Sequence, residues 1–176
     1  MTNQDILQIA LQQSAYDCNC MPEDFLKSEN VITQSVAHPL ARKYLPLPFA
    51  CDLTSYGNNI VAQCSEELAP VVEKFIKTYP VEHCFETPNM HILNDAFEAK
   101  GFRVCFMAEY FLPDVNVLRE LPCNFECKVL TQEDFKDLYT EQWSNALSQS
   151  RKDLDVLGVG AYDNGKLIGL AGCSAD

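Results

Sequence analysis

Basic residues are scarce in this 176-residue chain: 13 Lys and Arg stand against 25 Asp and Glu, for a formal net charge of −12 and a pI near 4.6. The densest basic cluster is Arg42-Lys43. Neutralising phosphates needs a concentrated basic surface, so the composition argues against a nucleic-acid partner. The acidity serves solubility, or attraction of a cationic substrate such as an amine. Long apolar runs are also lacking: none approaches the roughly 18 residues of a membrane span, and no membrane partner is expected. The N-terminus has no basic stretch, and the segment after it is interrupted by Gln8, Gln12 and Gln13. This predicts a helix rather than a signal peptide, and with it a cytoplasmic protein.

Paired metal-ligand motifs are missing too. Nine cysteines are present, but Cys18-x-Cys20 and Cys123-x₃-Cys127 do not make matched Cys-x₂-Cys pairs. The three histidines, His38, His83 and His91, are scattered. No metal site is expected from this pattern. The odd count, and the apolar surroundings of Cys51, Cys64, Cys105 and Cys173, predict free, buried thiols in a reducing compartment.

What is present is 47% hydrophobic and 22% charged residues, an ordinary globular mixture. Thr2 and Asp5 stand in capping-box positions ahead of an apolar stripe formed by Ile6, Leu7, Ala10, Leu11 and Ala15. Pro22 opens a short second helix expected to turn Phe25 and Leu26 inward. A strand over Val31–Ser35 is followed by a loop, His38–Pro48. A hairpin is then expected from Phe49–Tyr56 and Ile60–Cys64 about Gly57-Asn58-Asn59. Leu68, Val71, Val72, Phe75, Ile76 and Tyr79 mark one face of a helix. Thr87-Pro88 starts the next helix as cap and first residue; Leu93, Ala96 and Phe97 face the core, and Gly101 ends it. Phe102–Leu112 reads as a long apolar strand in mid-sheet.

The two prolines of Pro113–Pro122, around one helical turn (Val115–Arg119), mark the expected boundary between domains 1–120 and 121–176. Beyond it the pattern predicts a strand over Phe125–Leu130. A helix follows, capped by Thr131 and Asp134, with Phe135, Leu138, Tyr139, Gln142, Trp143, Ala146 and Leu147 on its inner face. A polar segment, Ser148–Asp155, leads to a hairpin of Val156–Tyr162 and Lys166–Cys173 about Asp163-Asn164-Gly165, whose Asn-Gly pair is a strong hairpin signal. The fold class is α/β (α+β), with a mixed, mostly antiparallel sheet and flanking helices.

The order strand, helix, polar segment and hairpin, ending in Gly165-Lys166-Leu167-Ile168-Gly169-Leu170-Ala171-Gly172, resembles the start of a domain of the GNAT superfamily of N-acetyltransferases. Residues 125–173 carry the resemblance. Asn89–Leu112, with Asn94–Phe102 at its centre, is similar to the late helix, Gly-Phe and strand of such a domain, which implies a GNAT-like or degenerate copy in 1–120. The bland alternative is a meander in some other α+β domain. The resemblance implies transfer of an acetyl group from acetyl-CoA, as co-substrate of a full-length parent, to a small-molecule or peptide amine. The family's [QR]-x-x-G-x-[GA] loop, which grips the pyrophosphate at a helix N-terminus, occurs nowhere in the 176 residues. The chain is therefore expected to be an incomplete fragment that binds no acetyl-CoA by itself, and no catalytic or cofactor-binding residue transfers to it. A homodimer through the last strand, whose outer neighbour would be absent, is expected from the same reasoning.

On the acceptor side, Glu141, Trp143, Ser144 and Asn145 at the end of the helix after Thr131 are candidate substrate-binding residues. A carboxylate beside an indole suits an amine by charge and by a cation–π attraction of about 0.5–2 kcal/mol. Trp143 as a core anchor and Glu141 as a solvated side chain explain the same residues without function. The second cluster, His83 to His91, adds Glu86 and His91 as candidate acceptor contacts. Its Cys84 could alternatively be a nucleophile near a helix N-terminus, although capping and packing account for the segment equally. The reading of a different class is a non-catalytic ligand-binding or protein-interaction module.

Overall fold

The computed structural model describes residues 1–43 and 46–175. Residues 44 and 45 of the expected loop, and Asp176, lie outside them. The chain is mixed α/β, with two small, mostly antiparallel sheets. It divides into two compact units, Met1–Leu118 and Arg119–Asp176. Among the described residues no helix is long and apolar enough to cross a membrane.

The first unit starts with α1 (Asn3–Asp17), closed by the capping box read from the sequence: the Asp5 amide donates to Thr2 Oγ1 and the Thr2 amide to the Asp5 carboxylate. Its apolar stripe is buried only toward the C-terminal end, at Leu11 and Ala15. The turn from Pro22 is a 3₁₀ helix, Pro22–Leu26, in which Phe25 is fully buried. Leu26, expected to face inward, is 55% exposed, because successive residues of one turn cannot share a face.

Strands β1 (Val31–Gln34), β2 (Cys51–Thr54) and β3 (Val61–Cys64) form a sheet ordered β1-β3-β2, with β1 parallel and β2 antiparallel to β3. The β2–β3 connection turns at Gly57, φ +100°, a conformation glycine adopts without steric cost. All four residues of β3 are buried, since a central strand has its edges paired and its faces covered. Val61 packs with Leu11, Ala15, Cys18 and Phe25. Ala62 and Cys64 point the other way, into a core with Leu68, Val72, Phe75, Met90, Leu93 and Phe97.

That second core is supplied by α2 (Ala69–Thr78), α3 (Val81–Cys84) and α4 (Thr87–Glu98). The four-residue α3 has no signal in the sequence. Thr87 lies inside α4, and Glu86 occupies the cap without a side-chain hydrogen bond; Pro88 in the first turn fixes the backbone there. The end of α4 is a Schellman motif: Phe102 N–H bonds the Phe97 carbonyl and Gly101 N–H that of Glu98. Gly101 has φ +81°.

Phe102–Leu112 is not the mid-sheet strand its composition predicts. Phe102 and Val104 pack on the core, but from Cys105 onward the segment is exposed and joins no sheet. Apolar composition signals a need for burial; a strand also needs a free edge in register. Side chains hold the segment instead. The Val104 amide donates to Asn94 Oδ1, Arg42 lies over the Tyr110 ring, and the Val115 amide donates to Asn3 Oδ1. The helical turn after Pro113 is the single turn Val115–Val117.

The second unit is an antiparallel sheet, β4 (Glu126–Thr131), β5 (Asp155–Asp163) and β6 (Lys166–Ser174), ordered β4-β5-β6. Asn164 (φ +48°) and Gly165 (φ +79°) make the hairpin turn, the two positive φ values of a type I′ turn. Between β4 and β5 the predicted helix is absent. Only half of the predicted cap forms: the Asp134 carboxylate accepts from the Thr131 amide and hydroxyl, while the Asp134 amide bonds the Thr131 carbonyl rather than its side chain. The chain continues in successive tight turns and 3₁₀ pieces, Glu141–Trp143 and Gln149–Arg151. Asp137, Tyr139, Thr140, Ser144 and Asn145 are weak helix formers, and so small a unit has little surface against which a long helical stripe could bury. The apolar residues still turn inward: Phe135 and Leu147 are buried with Leu130, and Leu138, Tyr139, Ala146 and Leu170 pack around them.

Candidate functional site

The turns between β4 and β5 cover one face of the sheet, and glycines set how closely. A Cβ on Gly172 would lie 2.0 Å from the Ala146 carbonyl oxygen, and one on Gly158 would lie 3.1 Å from the Phe135 ring. The room that glycine leaves on β6 is thus occupied by backbone of this same unit.

At the edge of this covered face sits Asp155, 1% exposed at the start of β5. Tyr139 Oη donates to its Oδ2 at 3.0 Å and Ser174 Oγ to its Oδ1 at 2.8 Å. Gln132 Nε2 bonds the Asp155 backbone carbonyl at 2.8 Å. Both oxygens of this buried carboxylate thus have hydrogen-bond donors, as burial of a polar group requires. Desolvation, then the bond to Asp155, push the Tyr139 phenol up to about 12; it is a neutral donor at physiological pH.

Tyr139 and Gln149 also form the common wall of two shallow, adjoining grooves. The smaller, about 250 Å³, is lined by Tyr139, Thr140, Glu141, Ser144, Leu147, Ser148 and Gln149. The larger, about 450 Å³, has Gln132, Lys136, Lys152 and Asp153 among its walls. Of the four candidates in this segment, Glu141 and Ser144 line the smaller groove together. Trp143 is half-buried and Asn145 exposed, and neither is in the lining. Trp143 serves the turn through its backbone, its amide bonding Thr140 and its carbonyl accepting from Ala146 and Leu147.

No family model matches the chain, and no curated protein or solved structure matches it.

Glu86 and His91 belong to the first unit. Glu86 is exposed, with its carboxylate 2.8 Å from His83 Nδ1. His91 is exposed one turn into α4, and the two candidates make no bond to each other. The Cys84 thiol is fully buried and lies 3.4 Å from the Tyr79 carbonyl. Burial raises its pKa, the opposite of what a nucleophile needs. Cys105 and Cys173, expected to be buried, are exposed, as are Cys123 and Cys127. The segment of Cys105 joins no sheet, and Cys173 faces the uncovered side of β6. Among the described residues no group of three or more His, Cys, Asp or Glu is gathered as a metal would require.

Sequence reasoning missed a second polar centre, in the first unit. Asp17, 2% exposed, receives the Arg42 guanidinium Nε on Oδ2, and on Oδ1 the Arg42 amide (2.8 Å) and Gln13 Nε2 (3.2 Å). The nearby Asp52 is raised by burial, partly offset by Arg42. One signal was available: an aspartate at the C-terminus of α1 opposes the helix dipole, so it needs a tertiary partner.

Proposed function

We propose that the chain serves N-acetyl transfer from acetyl-CoA to an amine, with the second unit contributing the acceptor side. The observation that supports this most is the β4-β5-β6 meander, with its Asn164-Gly165 turn and with Glu141 and Ser144 beside a groove. It keeps the strand order of the GNAT resemblance, although turns replace the helix. In this reading the exposed Glu141 carboxylate attracts a cationic amine and Ser144 Oγ accepts from it. No glycine-rich pyrophosphate loop is among the 176 residues, so the reading assigns acetyl-CoA contacts to none of them.

Trp143, the sole tryptophan, is a built-in reporter beside the groove. Titration with a primary diamine should give a saturable fluorescence change that the corresponding diol does not give. Glu141→Gln should weaken it about tenfold, the scale of one charge-assisted hydrogen bond. Equal responses to diamine and diol, or an unchanged Glu141→Gln variant, would defeat the reading.

One observation favours the second reading, a protein-interaction module. On the uncovered face of the second sheet Val129 (71%), Leu157 (48%) and Val159 (45%) are exposed side by side. Contiguous apolar surface of that kind marks a face that is normally covered.

A further inference from the structure

Nine cysteines are free in the structure, and their surroundings sort them. Cys18, Cys64 and Cys84 are buried; Cys20 and Cys51 are half-buried, and desolvation raises both of their thiols, that of Cys20 to about 12. Such thiols neither ionise readily nor meet a reagent in solution. Cys105 and Cys173 are exposed, without a sulfur neighbour in bonding reach. Cys123 and Cys127 are both exposed, and their sulfurs lie 3.7 Å apart.

The local chain explains the meeting. Asn124 and Phe125 form a bend directly ahead of β4, which folds Cys123 back beside Cys127, the second residue of the strand. The Cys127 thiol also approaches the Phe125 carbonyl across this bend, at 3.8 Å. Cys127 is held in the ladder opposite Ala161, whereas Cys123 lies in no regular element. A disulfide needs its sulfurs about 2.05 Å apart, so an approach of about 1.6 Å closes the bond. The free side of the bend can supply that movement without breaking a ladder hydrogen bond.

We propose that Cys123 and Cys127 are a redox-responsive dithiol, oxidised to an intramolecular disulfide by a low-molecular-weight disulfide such as oxidised glutathione. One cysteine thiolate attacks a sulfur of the oxidant and expels one glutathione thiolate. The other attacks the resulting mixed disulfide at the protein sulfur and expels the second. Two protein thiols lose two electrons, the oxidant is reduced to two thiols, and the two thiol protons end on the released glutathione. The second step is intramolecular across a five-residue loop. It proceeds at an effective concentration in the millimolar range, which a solitary exposed cysteine lacks. The bridge fastens the segment ahead of β4 to the strand.

The whole chain is equilibrated with graded ratios of reduced to oxidised glutathione, quenched in acid, alkylated and mapped by peptide mass. The expected result is a Cys123–Cys127 disulfide at roughly tenfold less oxidised glutathione than gives half-conversion of Cys105 or Cys173 to mixed disulfides. In the Cys127→Ser variant Cys123 should accumulate as a mixed disulfide with the sensitivity of Cys105. Cys123 and Cys127 alkylating in step with Cys105 and Cys173, or ending as two separate glutathione adducts, overturns the proposal. So does a Cys127→Ser variant in which Cys123 keeps its heightened sensitivity.

Discussion

Asp17 and Arg42 illustrate how unequal the two halves of one ion pair can be. The Asp17 side chain is 1% exposed and that of Arg42 22%. Without Asp17 the guanidinium can turn to water; without Arg42 the carboxylate stays buried with amide donors alone. Arg42→Met should therefore cost about 3 kcal/mol of unfolding free energy. Asp17→Asn, which keeps an acceptor for the Arg42 and Gln13 N–H groups, should cost about 1 kcal/mol. Urea denaturation of both variants checks the order, which fails if Asp17→Asn proves the more damaging. Asp52 adds a pH dependence. Burial, incompletely offset by Arg42, raises its pKa above that of the unfolded chain, so between the two values the folded state binds the proton more tightly. Stability should fall as pH rises from the ordinary carboxylate range through the raised value, then level off. In Asp52→Asn that part of the slope should vanish from urea midpoints measured against pH.

At the scale of elements, glycines divide the second sheet into tolerant and intolerant positions. Gly172→Ala would set a Cβ 2.0 Å from the Ala146 carbonyl oxygen, a backbone atom that cannot rotate aside, whereas at Gly169 the nearest neighbour is the Ala161 Cβ at 3.5 Å. Gly172→Ala should lower stability by about 3 kcal/mol, and Gly169→Ala should stay within about 0.5 kcal/mol of the parent. Thermal unfolding of the two variants distinguishes them. How far such features could be read from the sequence depended on how local their causes are. The α1 capping box, the Asn164-Gly165 turn and the Gly101 stop are set within a few residues, and each stands where its residues indicate. The helix after Thr131 and the strand after Gly101 failed for one shared reason. Their apolar residues were recognised as needing burial, but regular structure there needed a helix-sized docking surface or a free sheet edge, and neither is written in the segment itself. In the candidate site, Glu141 and Ser144 were named from local chemistry, and the fold sets both beside one groove. Tyr139, Asp155 and Ser174 were missed because their hydrogen bonds join residues that only the sheet brings together.

For the molecule as a whole, apolar surface and net charge work against each other. β6 is paired on one side only, Ile168 on it is 42% exposed, and the neighbouring strands add Val159 and Val129. Unpaired ladder groups beside apolar side chains are a template for a second copy, and a two-fold pairing closes the assembly. The net charge of −12 opposes it over roughly 10 Å at 0.1 M salt. Light scattering should show mass rising with protein concentration, more steeply at high salt, and Ile168→Lys should hold the chain monomeric. A monomer at high micromolar concentration and high salt would mean that the edge does not pair.

The segment that leaves α4 carries a different liability. From Cys105 to Leu112 it belongs to no helix or strand and lies outside both sheets, with Phe106 (43%), Tyr110 (62%) and Phe111 (86%) exposed. A protease takes its substrate as a strand and must pull the scissile stretch free of its own hydrogen bonds; here little has to be pulled free, and aromatic residues suited to chymotrypsin are already presented. Brief digestion of the native chain should cut first between Phe106 and Leu112, while Phe75, Phe97 and Phe135 in the cores survive until global unfolding. A first cut at one of those buried sites would show that the stretch is better protected in solution than its exposure implies. The peptide bonds after Phe106, Tyr110 and Phe111 should therefore be the first that digestion of the native chain opens.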